Sequence, residues 1–127
     1  MTAVAPRVEG VRRGPVGFAP RERTLGDAAC DWAMQWLQVP DSPQGDEPWR
    51  FTREQAQFLS WFYAIDERGR FVYRRAVLRR MKGWGKDPFA AAVCAIEFVG
   101  PCRFGGWNRD GTPIAVPHPA SWVQIAA

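Results

Sequence analysis

The sequence lacks a long apolar run. None of its apolar stretches reaches the roughly 20 residues that a membrane-spanning helix requires, and its first residues contain no apolar core of the kind that directs export. Cysteine is scarce, since Cys30, Cys94 and Cys102 form no C-x-x-C pair and stand at no metal-ligand spacing from the single histidine, His118. We therefore expect a cytoplasmic protein with reduced thiols, no cysteine metal site and no catalytic role for His118, which lies in a proline-rich loop.

Acidic residues are absent from the most basic part of the chain. The 127 residues carry a net charge of +4, and eight basic residues fall between Arg68 and Lys86 with no acid among them. Such a block attracts phosphate groups, whether of a nucleotide or of nucleic acid. The alternative is a solvated strand edge whose arginines serve solubility.

The remaining pattern predicts one small domain behind an arm. Residues 1–23 are rich in Pro, Gly and Arg without periodicity, which indicates a flexible N-terminal arm. Residues 24–127 are expected to contain a helix from Leu25 to Leu37, a helix from Thr52, a strand from Phe71 to Leu78, a helix capped by Asp87 and ended by Gly100-Pro101, a loop from Cys102 to Pro119, and a strand from Trp122.

Strands separated by helices predict an α/β fold. We expect part of a parallel-sheet core of the P-loop NTPase type, with the N-terminal helices packed beside the sheet. A parallel core needs more strands than these two. The end at Ala127, inside an apolar stretch, is therefore expected to cut through the domain.

The order of strand, glycine loop, lysine and helix is the layout of a phosphate-binding loop. Gly83-Trp84-Gly85 leads into Lys86 and an alanine-rich helix. In the motif GxxxxGK[ST], backbone amides and a helix N-terminus hold phosphates, while the lysine neutralises their charge. Aligned on Gly85-Lys86, the motif has Arg80 at its first glycine and Asp87 at its hydroxyl position, so two of its fixed positions differ.

Two charged neighbours have alternative interpretations. Lys82 supplies a second positive charge for the phosphates or is a solvent-facing lysine. Asp87 is a ligand for Mg²⁺, which prefers oxygen donors, or it only caps the helix. Both roles of Asp87 are compatible with one another.

The chain here resembles a known family, the large terminase subunits of tailed bacteriophages, which are DNA-packaging ATPases. Phe51 to Trp107, with KGWGK followed by a small-residue helix and a GP…F turn, is similar to the front of the ATPase domain in terminases of actinobacterial phages. Lys82 stands where these proteins carry a basic residue before the Gly-Lys pair, and WVQIAA near the end resembles the next strand of that domain. The resemblance covers Trp49 to Ala127.

The resemblance implies residue roles and ligands. It implies ATP with Mg²⁺ as ligands and a phosphate site at Lys82, Gly83, Trp84, Gly85, Lys86 and Asp87. It also implies that Gln55 contacts adenine, whose edge matches the donor and acceptor of an amide. Gln57 is the rival glutamine, and the spacing Thr52-x-x-Gln55 is also that of a helix capping box.

The resemblance also sets limits and implies partners. The Walker B acids and the nuclease acids of the family have no counterpart after Lys86, so we expect no catalytic residue in this stretch and no useful turnover by it alone. The implied partners are double-stranded viral DNA, the small terminase subunit and the portal protein, in a homo-oligomeric ring within the infected bacterial cytoplasm. The alternatives are a non-enzymatic nucleic-acid-binding module that uses the basic block, or another P-loop NTPase such as a helicase.

Overall fold

The structure, a computed structural model, describes residues 23–40, 42, 43, 45 and 47–126. These contain three helices and one hairpin. The helices are α1 (Gly26–Trp36), α2 (Arg53–Phe62) and α3 (Lys86–Val99), and the strands are β1 (Arg103–Trp107) and β2 (Pro113–Val116). The predicted arm at residues 1–23 lies outside the described residues except for Arg23.

Helix α1 packs closely against α2. Thr24 links them, because its hydroxyl donates to the carbonyl of Ser60 at 2.6 Å and accepts from the amide of Gly26 at 2.9 Å. A Cβ atom on Gly26 would lie 2.8 Å from the carbonyl oxygen of Leu59, so only glycine permits this approach. The predicted helix from Leu25 to Leu37 is confirmed within a residue at each end.

The core lies where the three helices meet. Its apolar side chains come from α1, from the end of α2 and from one face of α3, and Trp49 and Cys102 complete it. The most deeply buried are Leu25, Ala29, Ala33, Leu59, Tyr63, Ile65, Phe89, Ala92, Ile96 and Cys102. Helix α3 buries only this face, since Phe98 and Val99 are about half exposed, although its sequence is apolar nearly all round.

The region between Cys102 and Pro119 was expected to be a loop, and that prediction is wrong. Strands β1 and β2 pair antiparallel, with Arg103 opposite Val116 and Trp107 opposite Pro113, and the register shifts between Phe104 and Gly106. The turn between them closes with a 2.7 Å bond from the amide of Asn108 to the carbonyl of Thr112. An Asp-Gly pair between two short apolar stretches is a hairpin signal, and it was available in the sequence.

The predicted strand from Phe71 to Leu78 is also wrong. Phe71 forms a single bridge with Ile65, and the chain then runs to Met81 without strand pairing. A strand needs a neighbour for its backbone groups, and after Val72, whose amide donates to the carbonyl of Ala64, no described residue pairs with this segment. The same holds for residues 122–126, which form no strand. The parallel-sheet core stays a prediction, since the only sheet among the described residues is the hairpin.

Candidate phosphate-binding loop

The loop from Arg80 to Asp87 turns sharply into α3. Gly83 and Gly85 adopt φ values of +90° and +93°, in the left-handed region that glycine enters without strain. Gly85 is the N-cap residue of α3, and Lys86 is its first residue. The prediction that Asp87 caps the helix is wrong by two positions, because the second glycine already starts the helical turn.

The side chain of Lys86 reaches back across the loop. Its Nζ donates to the carbonyl oxygen of Arg80 at 2.7 Å, which joins the lysine position to the first position of the aligned motif. The ammonium group therefore lies over the loop. A phosphate oxygen accepts hydrogen bonds as this carbonyl oxygen does and carries more negative charge. The ammonium group of Lys86 can therefore leave the carbonyl of Arg80 and bind a phosphate oxygen instead.

Several backbone amides of the loop have no protein acceptor. Trp84 donates to the carbonyl of Met81 at 3.3 Å, but within the described part of the chain the amides of Lys82, Gly83 and Gly85 donate to none. In the first turn of α3 the amides of Lys86 and Asp87 have no acceptor among the described residues, Pro88 has no N–H to offer, and the helix dipole adds positive potential there. The loop thus offers an ammonium group and free donors to an anion.

Gln55 lies beside the loop although it is 30 residues away in sequence from Gly85. It is 4% exposed, and a Cβ atom on Gly85 would lie 3.5 Å from its Nε2. Its Oε1 accepts from the amide of Thr52 at 3.0 Å, and Thr52 Oγ1 accepts from the amide of Gln55 at 3.2 Å. The capping box is confirmed, which leaves Nε2 as the group available to a ligand.

Trp84 holds the loop to the core. Its ring meets Phe89 edge-on at 5.6 Å between centroids, and the guanidinium of Arg80 lies 5.9 Å from its centroid. Arg80 also forms an ion pair with Glu54 of α2. The Arg80 carbonyl that Lys86 contacts therefore belongs to a residue tied to α2. The role of Glu54 was not predicted from the sequence. The one signal that the sequence offered was the position of Glu54 in the first turn of a capped helix.

The two remaining predicted residues face solvent. Lys82 and Asp87 are exposed, so each can meet a ligand, but neither is positioned by a described partner. The described residues hold no group of three or more His, Cys, Asp or Glu that could bind a metal ion. A magnesium ion at this loop would depend on Asp87 together with phosphate oxygens, a combination that nucleotide sites commonly use.

The chain has relatives among bacteriophage proteins. It is 36% identical to the "Gene 13 protein" of Mycobacterium phage L5 over 84% of this chain and 21% of that protein. It is 50% identical to the "Gene 13 protein" of Mycobacterium phage D29 over 82% of this chain and 20% of that protein. The chain thus spans about a fifth of the length of these relatives. No protein-family model and no solved structure matches it.

These comparisons correct the interpretation as a large terminase subunit. Neither relative is named a terminase, and no family model of any kind matches the chain. The assignment is therefore withdrawn. The small terminase subunit, the portal protein and the motor ring were implied by it alone and are not carried forward.

The relatives do indicate a phage protein, made within an infected bacterial host. Among the described residues, no helix is both long and apolar enough to cross a membrane.

Proposed function

We propose that this chain binds the phosphates of a nucleoside triphosphate, ATP with Mg²⁺, at the loop from Arg80 to Asp87. The observation that carries the proposal is the bond from Lys86 Nζ to the Arg80 carbonyl. This bond brings the ammonium group of Lys86 over a loop in which the amides of Lys82, Gly83 and Gly85 have no acceptor among the described residues. The protein acts in the cytoplasm of the infected host.

Each element of the loop has a role in binding the nucleotide. The amides of Gly83 and Gly85 and the first turn of α3 donate to phosphate oxygens. Lys86 neutralises their charge, while Lys82 adds positive potential from the solvent side. The carboxylate of Asp87 would coordinate Mg²⁺, and Nε2 of Gln55 donates to the base.

The residues of this loop bind and orient but do not activate water. In-line attack on a phosphorus atom requires a carboxylate or amide that places the water. Glu54 is the acid that lies against the loop, and it is occupied by Arg80. We therefore propose nucleotide binding, without hydrolysis, for these residues.

Titration of the chain with a non-hydrolysable ATP analogue and Mg²⁺ tests the proposal. Lys86→Ala should weaken binding by about ten- to a hundredfold, because a hydrogen bond to a charged group contributes about 1.5–3 kcal/mol. Lys82→Ala removes the same charge from the same loop without the crossing contact, so its effect should be clearly smaller. Equal affinities of the parent and Lys86→Ala, with both folded, would rule the loop out.

A second pair of variants tests the base contact. Gln55→Ala should weaken binding of the ATP analogue, whereas Gln57→Ala should leave it unchanged. Because Gln55 also caps α2, unfolding should be followed in parallel, and the affinities are compared only at a temperature where both variants are folded.

The second candidate is a nucleic-acid-binding module, favoured by the exposure of the basic block. Arg74, Arg75 and Arg79 are all exposed on an extended segment. None of the three forms an ion pair among the described residues, and such unpaired charges suit a phosphate backbone. If this function is the correct one, DNA affinity falls steeply with salt, several arginines share the loss, and Lys86→Ala changes ATP and DNA binding alike.

A further inference from the structure

A cavity of about 630 Å³ lies away from the phosphate-binding loop, between the end of α2, the segment after it and β1. Its walls are largely aromatic, with Phe62, Phe71, Tyr73 and Phe104 all lining it and all half-buried. None of its lining residues belongs to the loop from Arg80 to Asp87. The volume falls within the range of small-molecule sites, so the cavity can take a group the size of a nucleobase.

Three arginines line this aromatic cavity, and one of them is unpaired among the described residues. Arg70, Arg74 and Arg103 line it together with one acid, Glu97. Arg70 pairs with Asp66 at 3.3 Å. Arg74 is exposed and has no hydrogen-bond or ion-pair partner among the described residues. Its guanidinium is therefore available to a phosphate at the rim.

The negative charge of Glu97 is offset by the guanidinium of Arg103, so this pair carries no net charge at the cavity. Arg103 donates to both carboxylate oxygens of Glu97, at 3.2 and 3.3 Å. The hydroxyl of Tyr63 donates to Oε2 at 2.7 Å. Burial raises the pKa of Tyr63 far above its usual range, and the hydrogen bond to Glu97 is the second cause of this shift in pKa. The hydroxyl therefore keeps its proton, and the contact persists at neutral pH.

We propose that this cavity binds a nucleobase together with its phosphate, as single-stranded nucleic acid presents them. Aromatic rings stack on bases of any sequence, and arginines at the rim hold the backbone, which is the combination found in single-strand binding sites. Tyr73 and Arg74 are adjacent in the chain and both line the cavity. One nucleotide of a single strand can therefore contact an aromatic ring and a guanidinium at the same time. A duplex cannot do so, because its bases are stacked on one another.

Fluorescence anisotropy with a short labelled oligodeoxythymidylate tests the site. Tyr73→Ala should weaken binding by about five- to a hundredfold, since stacking contributes about 1–3 kcal/mol per base, and Tyr73→Phe should restore it. Arg74→Ala should weaken binding and lower the salt slope by about one. Arg79→Ala is the matched control, because it removes the same charge from the same segment outside the cavity.

Lys86→Ala separates this site from the phosphate-binding loop, and it should leave oligonucleotide affinity unchanged. Cross-linking with a bromodeoxyuridine oligonucleotide should label the peptide that contains Tyr73. Affinity that grows with oligonucleotide length identifies a single strand as the ligand, whereas equal affinity for thymidine monophosphate identifies a free nucleotide. The proposal is overturned if Tyr73→Ala binds like the parent, or if Arg79→Ala loses as much affinity as Arg74→Ala.

Discussion

Gly69 and Gly83 both adopt a positive φ, at +78° and +90°, but their surroundings differ. A Cβ atom on Gly69 would lie 2.1 Å from Cδ2 of Phe104, whereas one on Gly83 would meet nothing within 4 Å. The first glycine is therefore required by backbone conformation and by a close approach. The second is required by conformation alone, which leaves the space beside it open to a ligand.

Alanine at each position should separate these two requirements. Gly83→Ala should lower the free energy of unfolding by about 1–2 kcal/mol, the cost of a left-handed backbone for an L residue. Gly69→Ala should cost about 2–4 kcal/mol, because displacing the Phe104 ring adds the penalty of an overpacked site. Urea denaturation of the two variants measures the difference. Equal losses would mean that Phe104 moves aside freely.

Helices were the elements that the sequence specified best, because their signals are local. The Thr52-x-x-Gln55 spacing predicted the start of α2, and both reciprocal hydrogen bonds form. The glycine turn and Lys86 were predicted as a phosphate site from the motif alone, and the structure adds the crossing bond to Arg80. Nothing in the spacing indicated that Gln55 lies against Gly85, since that contact depends on how α2 and α3 pack.

Strands were predicted less well for a physical reason. An apolar, β-branched stretch shows a tendency to pair but does not supply the partner. Residues 72–81 therefore remain without a ladder, while the hairpin forms where β1 and β2 are close in sequence. The second glycine of the loop, Gly85, is the N-cap residue of α3, two residues before the aspartate that the capping rule favoured.

The capping box gives a prediction for α2. Thr52→Ala should destabilise the chain by about 1 kcal/mol, because the amide of Gln55 loses its acceptor. Thr52→Ser keeps the hydroxyl and should cost much less. Thermal unfolding compares the two, and a Thr52→Ser variant as unstable as Thr52→Ala would assign the effect to the methyl group instead.

At the scale of the whole molecule, large apolar side chains remain in solvent. Val77 is 87% exposed and Met81 84%, while Trp122 and Ile125 are 82% and 79% exposed. Val77 lies on the predicted strand from Phe71 to Leu78 and Met81 follows three residues after it, while Trp122 and Ile125 lie on the segment predicted as the last strand. Since apolar surface of this kind drives association in water, the chain on its own should associate with itself.

Light scattering over a range of concentrations should therefore give a mass above that of the 14.4 kDa chain. The double variant Val77→Lys, Trp122→Lys should shift the mass towards the monomer, because it removes one exposed apolar group from each segment. Gln35→Lys with Gln124→Lys adds the same charge at exposed polar positions and should leave the association largely intact. If this control dissociates the chain equally, charge repulsion and not loss of apolar surface explains the result. If the parent is monomeric at every concentration, the exposed apolar side chains of the two segments do not drive association.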